Sequence, residues 1–174
     1  MLMLIGINKF LIKGGFCFMG VSLQKANLDD AVKIHEMQVI AFMPLLEKYQ
    51  DYDTNPANES LERIIARFNQ PFTDYYLIKY FDDTIGGIRV VKMDNKSYRI
   101  SPIFILPEHQ GKGIAQKVFA KVEQIYHDAK LWELDTIMQE ERLCYLYEKL
   151  GYKKTGETKK INDNITIVFY EKSR

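Results

Sequence analysis

Cysteine is scarce in this chain: two, Cys17 and Cys144, among 174 residues. Two thiols cannot build a disulfide framework and suit a reducing cytoplasm. Neither has a Cys or His partner at zinc-ligand spacing, so no structural zinc is expected. An excess of either charge is also lacking, since 24 basic and 23 acidic residues leave a formal net charge of +1. That excludes the basic footprint of a nucleic-acid binder. No apolar run is long enough to span a membrane; the apolar start, residues 1–7, is soon interrupted by Lys9 and Lys13. It has no basic segment ahead of it and no small-residue cleavage site, so a secretory signal is not expected. Internal repeats, low-complexity tracts and linkers are missing too.

What is present is globular: 47% hydrophobic and 27% charged residues, enough for one domain with a real core. Residues 1–20 read either as an extra hairpin packed on the domain or as an extension ahead of a natural start at Met19. If ordered, they could contribute a homodimer contact. Residues 21–174 read as the domain. Alternation over residues 21–25 predicts a strand. Asn27 caps the next helix, with Asp29 and Asp30 in its first turn. Leu28, Ala31, Val32, His35, Val39 and Phe42 fall on one face of it. Pro44 predicts a kink, or a second short helix over residues 44–49. Residues 50–58 are turn chemistry. Leu61, Ile64, Ile65 and Phe68 mark another helix, stopped before Pro71.

A meander follows, with strands at residues 75–81, 85–93 and 97–106. Gly86 and Gly87 inside it predict a bulge or a close backbone approach. A long helix is expected over residues 111–129, with Ile114, Val118, Val122, Ile125 and Ala129 as its apolar stripe. Then come a strand (131–138), a helix (140–150) closed by Gly151, and a hairpin from residues 152–159 and 165–171. The expected fold class is α/β (α+β): one domain with a mixed, mostly antiparallel central sheet flanked by helices.

The stretch Ile103-Phe104-Ile105-Leu106-Pro107-Glu108-His109-Gln110-Gly111-Lys112-Gly113-Ile114-Ala115 organises the rest. A buried strand ends at Pro107 and feeds a helix through a turn with two glycines. Unpaired N–H groups and the helix dipole make such a turn an anion site. The P-loop pattern is absent, because Gly111-Lys112-Gly113 has neither its spacing nor its Ser/Thr. The dinucleotide fingerprint fails at Gln116, where a third glycine belongs. A third pattern, Q/R-x-x-G-x-G/A, is met by Gln110, Gly113 and Ala115. The alternative is an ordinary strand–helix connection, with Lys112, Lys117 and Lys121 merely a solvated face.

With Leu146-Tyr147-Glu148-Lys149-Leu150-Gly151-Tyr152 downstream, the order of elements over residues 21–172 resembles the GCN5-related N-acetyltransferase (GNAT) superfamily. The resemblance implies an enzyme that moves the acetyl group of acetyl-CoA, its cosubstrate, to an amine of a small molecule or peptide. It implies that Gln110, Gly111, Lys112, Gly113, Ile114 and Ala115 hold the CoA pyrophosphate. Phe104, Ile105 and Leu106 would pair with the pantetheine arm like an added strand, and a backbone N–H near Phe104 and Ile105 would receive the oxyanion. Tyr147 would protonate the leaving sulfur; Tyr145 lies about 200° round the helix from it.

Two departures stand out. Many relatives carry a glutamate early in the fourth strand, but Tyr98-Arg99-Ile100-Ser101 has no carboxylate. The family's asparagine seven residues before the tyrosine is here Glu140, which leaves the general base open. The missing strand-four carboxylate is the best support for the alternative, a non-catalytic CoA-binding or protein-interaction module. Of the histidines, His35 reads as a core residue, His109 as facing solvent or phosphate, and His127 as remote. The resemblance places the acceptor between the first helices and the closing hairpin. There Glu47, Asp51, Asp53 and Glu59, with Tyr49 and Tyr52, form either an acidic mouth for a cationic amine or an ordinary solvated loop.

Overall fold

A computed structural model describes residues 20–174. The expectations for the apolar N-terminus, including its dimer contact, lie outside the described residues. The first strand, β1, is Val21–Lys25. The Asn27 side chain then accepts from the Asp29 amide at 2.8 Å, and the Asn27 amide donates to Asp30 at 3.0 Å. This capping box sets a single 3₁₀ turn, Leu28–Asp30, ahead of α1 (Ala31–Tyr49). The turn shifts the phase of the helix. Leu28 and Val32 are exposed, and the buried stripe is Ala31, Ile34, Met37, Gln38, Leu46 and Tyr49. The face expected from Leu28, Val32 and Val39 is corrected accordingly. Gln38 goes inside because its amide donates to the Pro56 carbonyl at 2.9 Å and to Glu59 at 3.0 Å. α1 runs through Pro44 as one helix instead of restarting there.

Helix α2 (Leu61–Phe68) starts at Ser60, whose hydroxyl accepts from the Arg63 amide, and ends at Asn69 as expected. The meander is β2 (Thr73–Tyr80), β3 (Asp83–Lys92) and β4 (Ser97–Ile105). After it come α3 (Ile114–Ile125), β5 (Leu131–Ile137) and α4 (Glu141–Lys149). The hairpin of β6 (Lys153–Lys160) and β7 (Thr166–Ser173) closes the chain. Among the described residues one seven-stranded sheet has the order β1-β2-β3-β4-β5-β7-β6, and every pairing is antiparallel except β4 with β5. Helix α3 is shorter than predicted. Gly113 is left-handed (φ +72°) and stays outside it, and the helix ends at Tyr126, leaving Ile125 exposed and Ala129 buried in the following loop.

Two apolar layers sandwich the sheet. On one face α3 and α4 bury Ile114, Val118, Phe119, Val122 and Tyr147 against Tyr98, Ile100, Ile105, Trp132 and Leu134. Each such side chain stabilises by about 1.5–3 kcal/mol. On the other face α1 and α2 cover Tyr75, Leu77 and Phe104. Alternation along β4 therefore sends Ile105 to one layer and Phe104 to the other. Gly86 and Gly87 of β3 make the close approach foreseen for them. A Cβ on Gly86 would stand 2.1 Å from the Phe104 carbonyl oxygen, and one on Gly87 would stand 2.7 Å from the Phe104 ring. One register shift of β3 also falls beside Gly86, since Ile78 of β2 pairs with Gly86 and Lys79 with Thr84, leaving Ile85 extra; a second lies between Ile88 and Val90.

Candidate active site

The parallel strands β4 and β5 pair at only three positions, Ser97 with Leu131, Tyr98 with Trp132 and Arg99 with Glu133. Beyond Arg99 they part into a fork. Among the described residues the β4 backbone groups facing β5 have no strand partner there, while the other edge of β4 stays paired with β3 out to Ile105. A bulge helps turn β4 away. Ser101 and Pro102 together face Arg89 alone, and proline is tolerated at a bulge because one ladder bond is already missing. The Arg89 guanidinium donates to the Ser101 carbonyl at 3.0 Å and fixes the bend. At the base of the fork Arg99 pairs with Asp135. Tyr98 and Trp132 face the α3 layer, so Arg99, Glu133 and Asp135 point to the opposite side. Sequence reasoning sought a carboxylate on the fourth strand alone. The neighbouring strand supplies one, and the alternation in Leu131-Trp132-Glu133-Leu134-Asp135 was its only signal.

The turn at the tip of the fork has the geometry of an anion nest. Pro107–His109 make one 3₁₀ turn. Gln110 then folds back, its side-chain amide donating to the Ile105 carbonyl at 2.8 Å. Gly111 (φ +73°) and Gly113 (φ +72°) adopt left-handed backbone, and nothing lies within 4 Å of where either Cβ would be. Their glycine identity is demanded by φ, not by crowding within the chain. The N–H groups of Gly111, Lys112 and Gly113 find no backbone acceptor among the described residues. Those of Ile114 and Ala115 belong to the open first turn of α3. Such a row of free donors at a helix start suits a phosphate. Ile114 is buried and Ala115 packs on the same core, which pins the turn. Lys112 is exposed, and Lys112, Lys117 and Lys121 enter no ion pair among the described residues.

Tyr147 shares the α3-side core with Ile105 and Ile114. It packs edge-on against Phe119 at 5.8 Å and Tyr152 at 6.3 Å, and tilted against Tyr170 at 6.0 Å. Burial, with added pressure from the negative charge of Asp135 and from Cys144, pushes its phenol well above the usual value, so the proton stays on at neutral pH. Its hydroxyl makes no side-chain hydrogen bond among the described residues. Tyr145 is exposed. Phe104 and Leu106 point to the α1 and α2 layer and join the others only through the β4 backbone. His35 is bonded to the Glu59 carbonyl at 2.9 Å, and His127 is exposed. His109, expected to face solvent or phosphate, is half-buried, with its ring 6.2 Å from that of Tyr80.

The expected acceptor mouth differs from the sequence picture. Glu140 accepts from Lys48 Nζ at 2.6 Å and from the Tyr49 hydroxyl at 2.7 Å, and Asn162 of the hairpin turn donates to the Tyr49 carbonyl at 3.3 Å. Helix α1, the start of α4 and the hairpin are thus tied together at a buried Tyr49. Asp51 is buried, with Thr54 donating to its carboxylate. The Glu59 side chain is only 8% exposed and is held by Arg63 and Arg67. Of the four acids, Glu47 and Asp53 remain exposed. An open cleft of about 220 Å³ lies instead between the loop over residues 53–59, α2 and the β4 bulge at Ser101 and Pro102.

Among the described residues, no helix is long and apolar enough to cross a membrane, and no His/Cys/Asp/Glu group could hold a metal. A search of curated proteins returned no match. Solved structures share the fold. An acetyltransferase from Thermus thermophilus superposes with a TM-score of 0.69 over 90% of this chain and 98% of its own, at 12% identity. The spermidine N-acetyltransferase of Vibrio cholerae, solved with CoA and spermine, gives 0.69 over 87% and 94%, at 18% identity. The Salmonella typhimurium acetyltransferase that modifies the N-terminal serine of ribosomal protein L7/L12 gives 0.70 over 89% and 95%, at 15% identity. The family model for the acetyltransferase (GNAT) domain matches residues 46–174, which span the fork, the glycine turn and Tyr147. The chain therefore belongs to the GNAT acetyltransferase family and is an acyltransferase.

Proposed function

We propose that this chain transfers the acetyl group of acetyl-CoA to a primary amine by direct attack on the thioester. The observation that carries this is the fork itself: an unpaired β4 edge that leads, through one 3₁₀ turn, to a row of free N–H donors. The β4 edge over Phe104, Ile105 and Leu106 accepts the pantetheine amides as a further strand would. Gln110 holds the turn, and the N–H groups of Gly111, Lys112, Gly113, Ile114 and Ala115 receive the pyrophosphate. The amine nitrogen attacks the thioester carbonyl carbon, and an N–H near Phe104 and Ile105 stabilises the oxyanion. As the C–S bond breaks, Tyr147 gives its proton to sulfur. The surplus proton of the amine leaves to water and reloads the phenol. Glu140, bonded to Lys48 and Tyr49, ties the start of α4 to α1.

A thermal shift tests the ligand. Acetyl-CoA at a hundredfold excess over its Kd should raise Tm by about 5 °C or more. No shift at millimolar acetyl-CoA would sink the proposal. Thiol release over a panel of amines then tests turnover.

A further inference from the structure

We infer that the cleft beside the β4 bulge binds a carboxylate carried by the acceptor itself, so that the substrate class is an amine with an acid group several bonds away. The inference rests on the acetyl transfer proposed above and adds what the acceptor must look like. The cleft is walled by Asn55, Glu59, Arg63 and Arg67 on one side and by Ser101 and Pro102 on the other. Its one buried acid is already engaged. Arg67 grips Glu59 with both nitrogens of its fork, at 2.6 and 2.7 Å. Gln38 donates to the same carboxylate at 3.0 Å.

Arg63 is left over. It reaches Glu59 through Nε alone, at 3.2 Å, and its side chain is 68% exposed. The two terminal nitrogens, the pair that matches a carboxylate, have no partner among the described residues. Arg89 adds a third guanidinium behind the wall, bonded to the Ser101 carbonyl. Within the lining Arg67 offsets Glu59, and the exposed Asp53 makes no ion pair with Arg63 among the described residues. Behind the wall, the Gln38 side chain that donates to Glu59 keeps its Oε1 without a partner among the described residues. This is a polar cleft with one guanidinium pair left free, unlike the acidic mouth that would suit a polyamine.

Its position sets the length of the ligand. Ser101 is three residues before Phe104, or about 10 Å along the strand. A carboxylate seated on Arg63 therefore places an amine near the thioester when about five methylenes separate the two groups. An α-amino acid is too short, and a side-chain amine of the lysine kind, or an ω-amino acid, spans the gap.

The test compares 6-aminohexanoate with hexylamine, which lacks only the carboxylate, and with spermidine as a cationic control. Thiol release from acetyl-CoA gives kcat/KM for each. The expected result is a preference of about tenfold or more for 6-aminohexanoate, lost through KM in Arg63→Gln so that the two amines come within about twofold of each other. Arg63→Lys should recover part of the preference, since a charge without the planar fork gives weaker grip. Equal or better turnover of hexylamine or spermidine overturns the inference, as does a preference that Arg63→Gln leaves intact. Calorimetry with acetyl-CoA separates the two levels. Binding without turnover of any probe overturns the carboxylate cleft, whereas absence of binding overturns the acetyl-transfer proposal beneath it.

Discussion

The side-chain amide of Gln110 donates a 2.8 Å hydrogen bond to the carbonyl oxygen of Ile105, joining the glycine turn to the last residue of β4. One bond thus couples the strand half of the proposed CoA site to its phosphate half. Gln110→Ala should lower Tm by about 2–4 °C, the share of one hydrogen bond in a domain this size. Affinity for acetyl-CoA should weaken about tenfold as the turn loosens. Calorimetry beside a melting curve reads both, and an unchanged affinity would confine Gln110 to the fold.

Gly113→Val puts a β-branched residue at φ +72° in open space. The backbone cost is about 1–2 kcal/mol, with no clash inside the chain. The fold should persist by circular dichroism, while acetyl-CoA binding falls at least about tenfold because the Cβ blocks the approach to the turn. Normal binding in a folded variant would remove the turn from the ligand site.

Tyr147→Phe removes a hydroxyl that makes no side-chain hydrogen bond among the described residues, so stability should change little. If the phenol is the acid, kcat should drop by about a hundredfold or more with acetyl-CoA affinity nearly unchanged. Burial holds the Tyr147 pKa above the usual phenol range, so the wild-type rate should show no alkaline loss from tyrosine ionisation below about pH 10. Equal kcat in the variant would leave Tyr147 as a member of the aromatic core only.

Glu140 reports on the clamp between α1 and α4. Burial raises its carboxyl, but hydrogen bonds from Lys48 and Tyr49 outweigh that and hold it below the usual glutamate value. A carboxyl lowered by folding contributes stability that is present above its unfolded value, about 4.3, and is lost as pH falls through the folded one. Glu140→Gln should melt a few degrees below wild type at pH 7, and the two curves should converge near pH 3. Parallel curves across that range would show that the ion pair and the Tyr49 bond add nothing.

The elements themselves were legible along the chain. Asn27, Ser60, Pro71, Pro107 and Gly151 punctuate it locally, and the strands and helices follow within a few residues. The face of α1 was not legible, because its phase depends on a 3₁₀ turn that periodicity cannot see. Nor was the shorter α3, since only the left-handed φ at Gly113 delays its start.

By itself the sequence determined the order of elements, the fold class, the glycine turn and the place of Tyr147. These rest on local chemistry: turn residues, caps and short-period apolar patterns act within a few bonds. The tertiary structure alone decided that Asp135 meets Arg99 at the fork, that Glu140 closes on Lys48 and Tyr49, and that Glu59 is taken up by Arg63 and Arg67. Two of these joinings span tens of residues, and the third depends on how α2 packs against its loop. Charges are paired by distance in space, and a side chain's free valence shows only after its neighbours have been counted.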